Sequence, residues 1–226
     1  MRRIAASLAT GHEAALTVLL VVQCAVLFVA APLVIHGGPG ALFAADVLVV
    51  AFGVLLVALS EGRGPTLLAG IIAVFTLAAA VLNVAAPTRL LLAADHIGST
   101  VILLLVGYVV SRAVFAQGPV TAHRVRGAIV LYLTFGIAFS TVFRLLDEWS
   151  PGAFAGIAAD APRTETFASL IYFSFVTLTS VGYGDISPVH PFARSMTNLE
   201  AVIGQLYPAT LLARLVTLHL ETRRRS

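Results

Sequence analysis

Seven consecutive residues, Thr179-Ser180-Val181-Gly182-Tyr183-Gly184-Asp185, bring together two hydroxyls, two glycines alternating with an aliphatic and an aromatic residue, and a carboxylate. Gly182 and Gly184 can take positive φ at little steric cost. Neighbouring carbonyls can then aim at one axis instead of alternating as they do along a strand. A row of convergent backbone oxygens can replace the water shell of a metal cation. The elements around the string fit that chemistry. Residues 165–178 form an apolar run too short to cross a bilayer, which predicts a re-entrant helix that enters the membrane and stops partway. Thr164 is expected to cap its start, and Glu165 to sit in the first turn where the helix dipole favours an anion. Irregular backbone at membrane depth is tolerated only where protein buries it or where it lines water, so the string after this helix requires a functional reason.

The string resembles the filter of the potassium channel family, T-V-G-Y-G, and the resemblance extends to its setting: a short apolar helix before it and an apolar span after it. Gly204 also lies where the family commonly has a hinge glycine in its inner helix, with Pro208 one turn later; the two are the candidate gating hinge. The resemblance implies potassium ligands at the carbonyls of Ser180, Val181, Gly182 and Tyr183 and at the Ser180 hydroxyl. Gly184 completes the filter, and Thr179 and Asp185 flank it. Val181 and Tyr183 would point outward as a cuff. One chain supplies one filter strand, so the resemblance implies a homotetramer. No cofactor is implied beyond the permeant ion. This chain departs from the family at Ser180, which keeps threonine's hydroxyl and loses the methyl that stiffens χ1. It also has Tyr172, Phe173 and Val176 where many relatives place a bracing carboxylate or tryptophans.

The whole composition points to a bilayer. Of 226 residues 59% are hydrophobic and 11% charged, far from a soluble average. Six spans are expected, at residues 14–35, 41–60, 65–86, 90–110, 127–143 and 195–220, with the re-entrant helix and filter between the fifth and the sixth: an all-α membrane protein. The sixth carries Asn198, Glu200, Gln205 and Arg214, which hydrocarbon penalises by a few kcal/mol each, so it is expected to face protein or water. Residues 1–120 form a peripheral four-helix module and residues 121–226 a pore module. Every basic residue is arginine. An inside amino terminus leaves Arg2, Arg3, Arg63, Arg112, Arg124, Arg126, Arg214, Arg223, Arg224 and Arg225 in the cytoplasm, and Arg89, Arg144, Arg163 and Arg194 outside, as the positive-inside rule requires. Both termini are then cytoplasmic, and the arginine- and alanine-rich composition associates with a bacterial inner membrane. Outside, Asp147, Glu148, Asp160, Glu165 and Asp185 outnumber Arg163 and Arg194, which concentrates cations at the mouth.

Other classes find little support. The net charge of +3 comes from scattered arginines with no extended basic face, so nucleic acid is not an expected partner. Arg223-Arg224-Arg225 either anchor topology or meet anionic lipid. There is no H-E-x-x-H, no G-x-S-x-G and no Cys or His cluster at metal-ligand spacing, so no enzyme is expected. Cys24 reads as a buried apolar residue. Asp46, and Asp95 with His96, read as interhelical polar contacts; Glu200 either braces the filter or packs between helices. The fourth span lacks the arginine at every third position that voltage-gated relatives carry. The alternatives to a passive potassium channel are a potassium transporter subunit, for which repeated halves would be expected, and a weakly selective cation channel.

Overall fold

The computed structural model describes residues 16–33, 63–86, 88–115, 122–158 and 160–225, together with positions 47, 50, 51 and 53. Six helices run through the described residues. Helix α1 (Leu16–Leu33) carries a π-helical turn at Val26–Ala30. It is followed by α2 (Arg63–Ala85), α3 (Arg89–Phe115), α4 (Ala122–Trp149), α5 (Arg163–Leu178) and α6 (Pro191–Arg225). Two short strands, β1 (Phe154–Ala155) and β2 (Ser187–Pro188), pair antiparallel on either side of α5.

Four of these helices are long and apolar enough to cross a membrane, over Leu16–Leu33, Thr66–Ala85, Arg89–Arg112 and Arg124–Trp149. They coincide with the first, third, fourth and fifth expected spans. Most of the second expected span, including Asp46, lies outside the described residues. Helix α6 has 35 residues, about 52 Å at 1.5 Å per residue. It is long enough to cross but not apolar enough to be recognised as a lipid-facing span, because of the polar residues noted above.

Helix α5 has 16 residues, about 24 Å, short of the roughly 30 Å hydrocarbon core. Its start differs from expectation. Thr164 is not the cap: it is buried inside the first turn, and Pro162 occupies the N-cap position with no side-chain cap bond. Proline's extended conformation, φ −56° and ψ 145°, leads directly into the helix, and its carbonyl accepts the amides of Glu165 and Thr166. Glu165 does sit in the first turn.

Packing ties the peripheral helices to the α4–α6 region within one chain. Leu16, Leu19, Val50, Ala69, Ile102 and Val110 share one buried cluster with Ala128, Val130 and Leu131 of α4. A second cluster joins Leu27 and Ala31 of α1 and Leu103 of α3 to Phe167 and Ile171 of α5. Gln23 donates to Thr134 Oγ1 (2.8 Å) inside this interface, and the Thr100 and Thr141 hydroxyls meet between α3 and α4 (2.6 Å). These contacts satisfy polar groups where lipid tails offer no partners.

Candidate ion filter

The segment after α5 folds back onto the helix it leaves. The amides of Ser180 and Val181 donate to the carbonyls of Thr177 (2.9 Å) and Val176 (3.0 Å), and the Gly182 amide also reaches Val176 (3.3 Å). Carbonyls that would be orphans at a helix C-terminus are satisfied in this way. The carbonyls of Ser180, Val181, Gly182 and Tyr183, by contrast, accept no hydrogen bond among the described residues. Positive φ occurs at Ser180 (58°), Gly182 (59°) and Gly184 (81°), and not at Val181 or Tyr183 between them. A strand with one φ sign alternates its carbonyls; a backbone that alternates φ sign turns successive carbonyls toward one side. The segment therefore presents a row of unpaired oxygens.

The glycines supply two of the three left-handed positions, as expected from sequence. Ser180 supplies the third and was not foreseen. A non-glycine residue there carries strain of about 1–3 kcal/mol, which persists only where its surroundings over-determine it. One of those surroundings is Gln205 of α6, whose Nε2 donates to Ser180 Oγ (2.6 Å).

Other side chains fix α5 and the outer end of the segment. Tyr172 donates its hydroxyl to Asp185 Oδ2 (2.8 Å), and its ring stacks on Tyr183, with centroids 6.4 Å apart and planes 5° apart. Tyr172 thus ties α5 to Asp185 and Tyr183 at the far end of the segment. At the inner end, Tyr132 of α4 donates to the Leu178 carbonyl (3.0 Å). In the middle of the helix, Ser174 Oγ lies 2.7 Å from the Gly136 carbonyl of α4 and 2.5 Å from Glu200 Oε1 of α6. Glu200 is fully buried and its Oε2 has no partner among the described residues.

The β1–β2 pair closes over the outer end. Val189 and His190 donate to the Ala153 carbonyl. Gly156, at φ 90°, passes so close to the Asp185 carbonyl that a Cβ there would overlap it. None of this strap was legible as structure in a loop rich in Pro and Gly.

Gly204 and Pro208 both fall within α6. A Cβ on Gly204 would overlap the Leu178 carbonyl, so this glycine has a packing reason to be small, independent of any hinge. Tyr207 nearby donates to the Ala128 carbonyl (2.9 Å) and stacks on Tyr132, centroids 5.9 Å apart. The segment itself lies on the surface of the single chain: Val181 is 52% and Tyr183 70% exposed. At the mouth, Arg163 pairs with Glu148 (3.6 Å), and Arg194 donates to the Pro188 carbonyl. Side chains at Arg223, Arg224 and Arg225 lie outside the described residues.

Comparison with known proteins concerns the same part of the chain. Residues 127–220, which contain α5, the filter segment and most of α6, match the ion channel family. Protein LctB of Bacillus caldotenax is 31% identical over 87 residues, 38% of this chain and 64% of LctB. Two-pore potassium channel 4 of Arabidopsis thaliana is 33% identical over 89 residues, 39% of this chain and 27% of the plant protein. Two pore potassium channel c of Oryza sativa subsp. japonica is 31% identical over 93 residues, 41% of this chain and 18% of its own length. The chain thus spans less than two thirds of the length of each of these relatives. No solved structure matches it. The match, which covers less than half of the chain, and the apolar helices together support an integral membrane protein.

Proposed function

We propose that the chain is one subunit of a homotetrameric, potassium-selective channel that conducts passively, with Ser180, Val181, Gly182, Tyr183 and Gly184 as its filter. The observation that carries this reading is the row of unpaired carbonyls with φ alternating at Ser180, Gly182 and Gly184. One strand gives one oxygen per level, whereas stripping a potassium ion of water takes a ring of them; four chains supply it. The exposed Val181, Tyr183, Val202 and Leu206 surface fits coverage by neighbouring copies. The potassium channels among the relatives support the choice of ion.

In this reading six spans cross the membrane with both termini cytoplasmic, α5 is re-entrant, residues 121–226 form the pore module and residues 1–120 its collar. Arg223, Arg224 and Arg225 meet anionic headgroups, at about 1 kcal/mol per charge. The serine at the innermost site favours one second reading, a weakly selective cation channel. Flux from liposomes under potassium and sodium gradients separates the two: potassium flux well above sodium flux supports the first, equal fluxes the second, and no flux of either ion overturns both. Mass measurement in detergent tests the assembly; a conducting monomer or dimer contradicts it.

A further inference from the structure

We propose that Gln205 orients the innermost ion ligand, holding the Ser180 hydroxyl from α6 and thereby setting how strictly that level of the filter discriminates among monovalent cations. The proposal rests on the reading of residues 180–184 as an ion filter.

Serine is the least constrained hydroxyl residue: with one heavy atom on Cβ it has three staggered χ1 wells, where a β-branched residue is restricted. A ligand ring whose oxygens hop between wells fits ions of several sizes. In this chain the hydroxyl is not left free. Gln205 Nε2 donates to Ser180 Oγ at 2.6 Å, across 25 positions of sequence. The amide takes one lone pair of Oγ and leaves the other for an ion.

A hydrogen bond from a flexible side chain fixes its partner only if its own helix is fixed, and α6 is fixed on both sides of Gln205. Just before it, Gly204 abuts the Leu178 carbonyl, one turn earlier Glu200 meets Ser174 of α5, and just after it Tyr207 is bonded to Ala128 of α4. The hydroxyl is thus held from a frame of three helices, α4, α5 and α6. Gln205 supplies by tertiary contact the restraint that a methyl on residue 180 would supply covalently. It is a positioning residue, and the ion touches Ser180.

The test uses the full chain in liposomes, with the potassium-to-sodium permeability ratio as the readout, because general loss of folded protein lowers both fluxes together and leaves the ratio unmoved. Gln205→Leu keeps the bulk and removes the donor. Its ratio is expected to fall about tenfold, the factor for losing hydrogen bonds of ordinary net strength from a fourfold ring. Adding Ser180→Thr restores the missing restraint, and the double variant is expected to return to within about threefold of the wild-type ratio. A Gln205→Leu ratio equal to wild type overturns the proposal, as does a fall that Ser180→Thr leaves uncorrected. If Gln205→Leu passes no ions, a double variant conducting at the wild-type ratio supports the proposal and a silent one overturns it. A wild-type protein that passes both ions equally overturns the filter reading itself, and this proposal with it; a selective wild type with an insensitive Gln205→Leu sinks the proposal alone.

Discussion

Ser180 and Gly182 share nearly the same left-handed φ, 58° and 59°, but their surroundings differ. Ser180 is held by Gln205; a Cβ at Gly182 would find nothing within 4 Å inside its own chain. The cost of Gly182→Ala is therefore conformational, about 1–2 kcal/mol for a left-handed L-residue, roughly 4–8 kcal/mol if four chains form one ring. Potassium flux from Gly182→Ala vesicles is expected to be abolished while the protein still inserts; undiminished flux would remove the filter from the mechanism. Gly204 poses the opposite case, since its φ is ordinary and its neighbour is not. Replacing it with alanine gains about 1 kcal/mol of helix propensity but forces backbone against backbone at Leu178, an overpacking of about 1–3 kcal/mol that neither side can relieve by a rotamer change. Gly204→Ala is expected to lower the thermal stability of the assembly in detergent. A hinge role alone predicts unchanged or raised stability with altered opening, so a melting curve distinguishes the two. Sequence made the glycines visible because glycine permits what other residues resist. It could not show that Gly204 is small for the sake of a carbonyl 26 positions earlier.

Helix α5, about 24 Å long, is oriented by side chains from both neighbours. Tyr132 and the Gly136 carbonyl hold it from α4, and Glu200 and Gly204 from α6. Ser174 sits at the centre of this frame with one hydroxyl proton between two acceptors. The two short contacts, to Gly136 and to Glu200, are both satisfied only when the Glu200 carboxyl brings a proton of its own. Glu200→Gln preserves a donor at the same reach and is expected to keep potassium flux within about threefold of wild type. Glu200→Ala removes the bridge and leaves a void, and flux is expected to fall at least about tenfold through a loosened filter. A silent Glu200→Gln beside an active wild type would mean that the charge is needed. The polar content of α6 was legible as a helix facing protein or water, and it does: Glu200, Gln205, Tyr207 and Arg214 each bond to a different element. The partners were not legible, because each lies 25 to 99 positions away. Partly buried tyrosine hydroxyls in apolar helices, Tyr132 and Tyr207, were the overlooked signal, since each finds a backbone acceptor. The strap of β1 and β2 escaped notice for a different reason: two-residue strands leave no periodicity to read.

Helices α1 to α3 pack against α4 and α5 of their own chain, through the shared clusters around Leu131 and Phe167, and this bears on whether the molecule senses voltage. A sensor helix must carry charge and be free to move it. Helix α3 has arginine only near its two ends, Arg89 and Arg112, about 34 Å apart along the axis. Arg144 is nearly buried in α4 with its guanidinium over the Phe167 ring, 4.7 Å from the centroid, which ties it to the helix that supports the filter. Arg214 donates to the terminal carbonyl of α3 at Phe115 and lies over that ring at 4.9 Å, a stable place for a cation at a helix C-terminus. Neither arrangement offers a stack of charges exchanging partners as a helix slides. One charge crossing the full field contributes about 2.3 kcal/mol per 100 mV, and steep gating takes three or four in each subunit. The described helices contain no such set. Open probability in a planar bilayer with purified protein and symmetric potassium is therefore expected to change only weakly across about ±100 mV. A steep rise with several gating charges per assembly, in the absence of blocking ions, would mean that charge moves through some element other than α3, and would overturn the view of residues 1–120 as a collar.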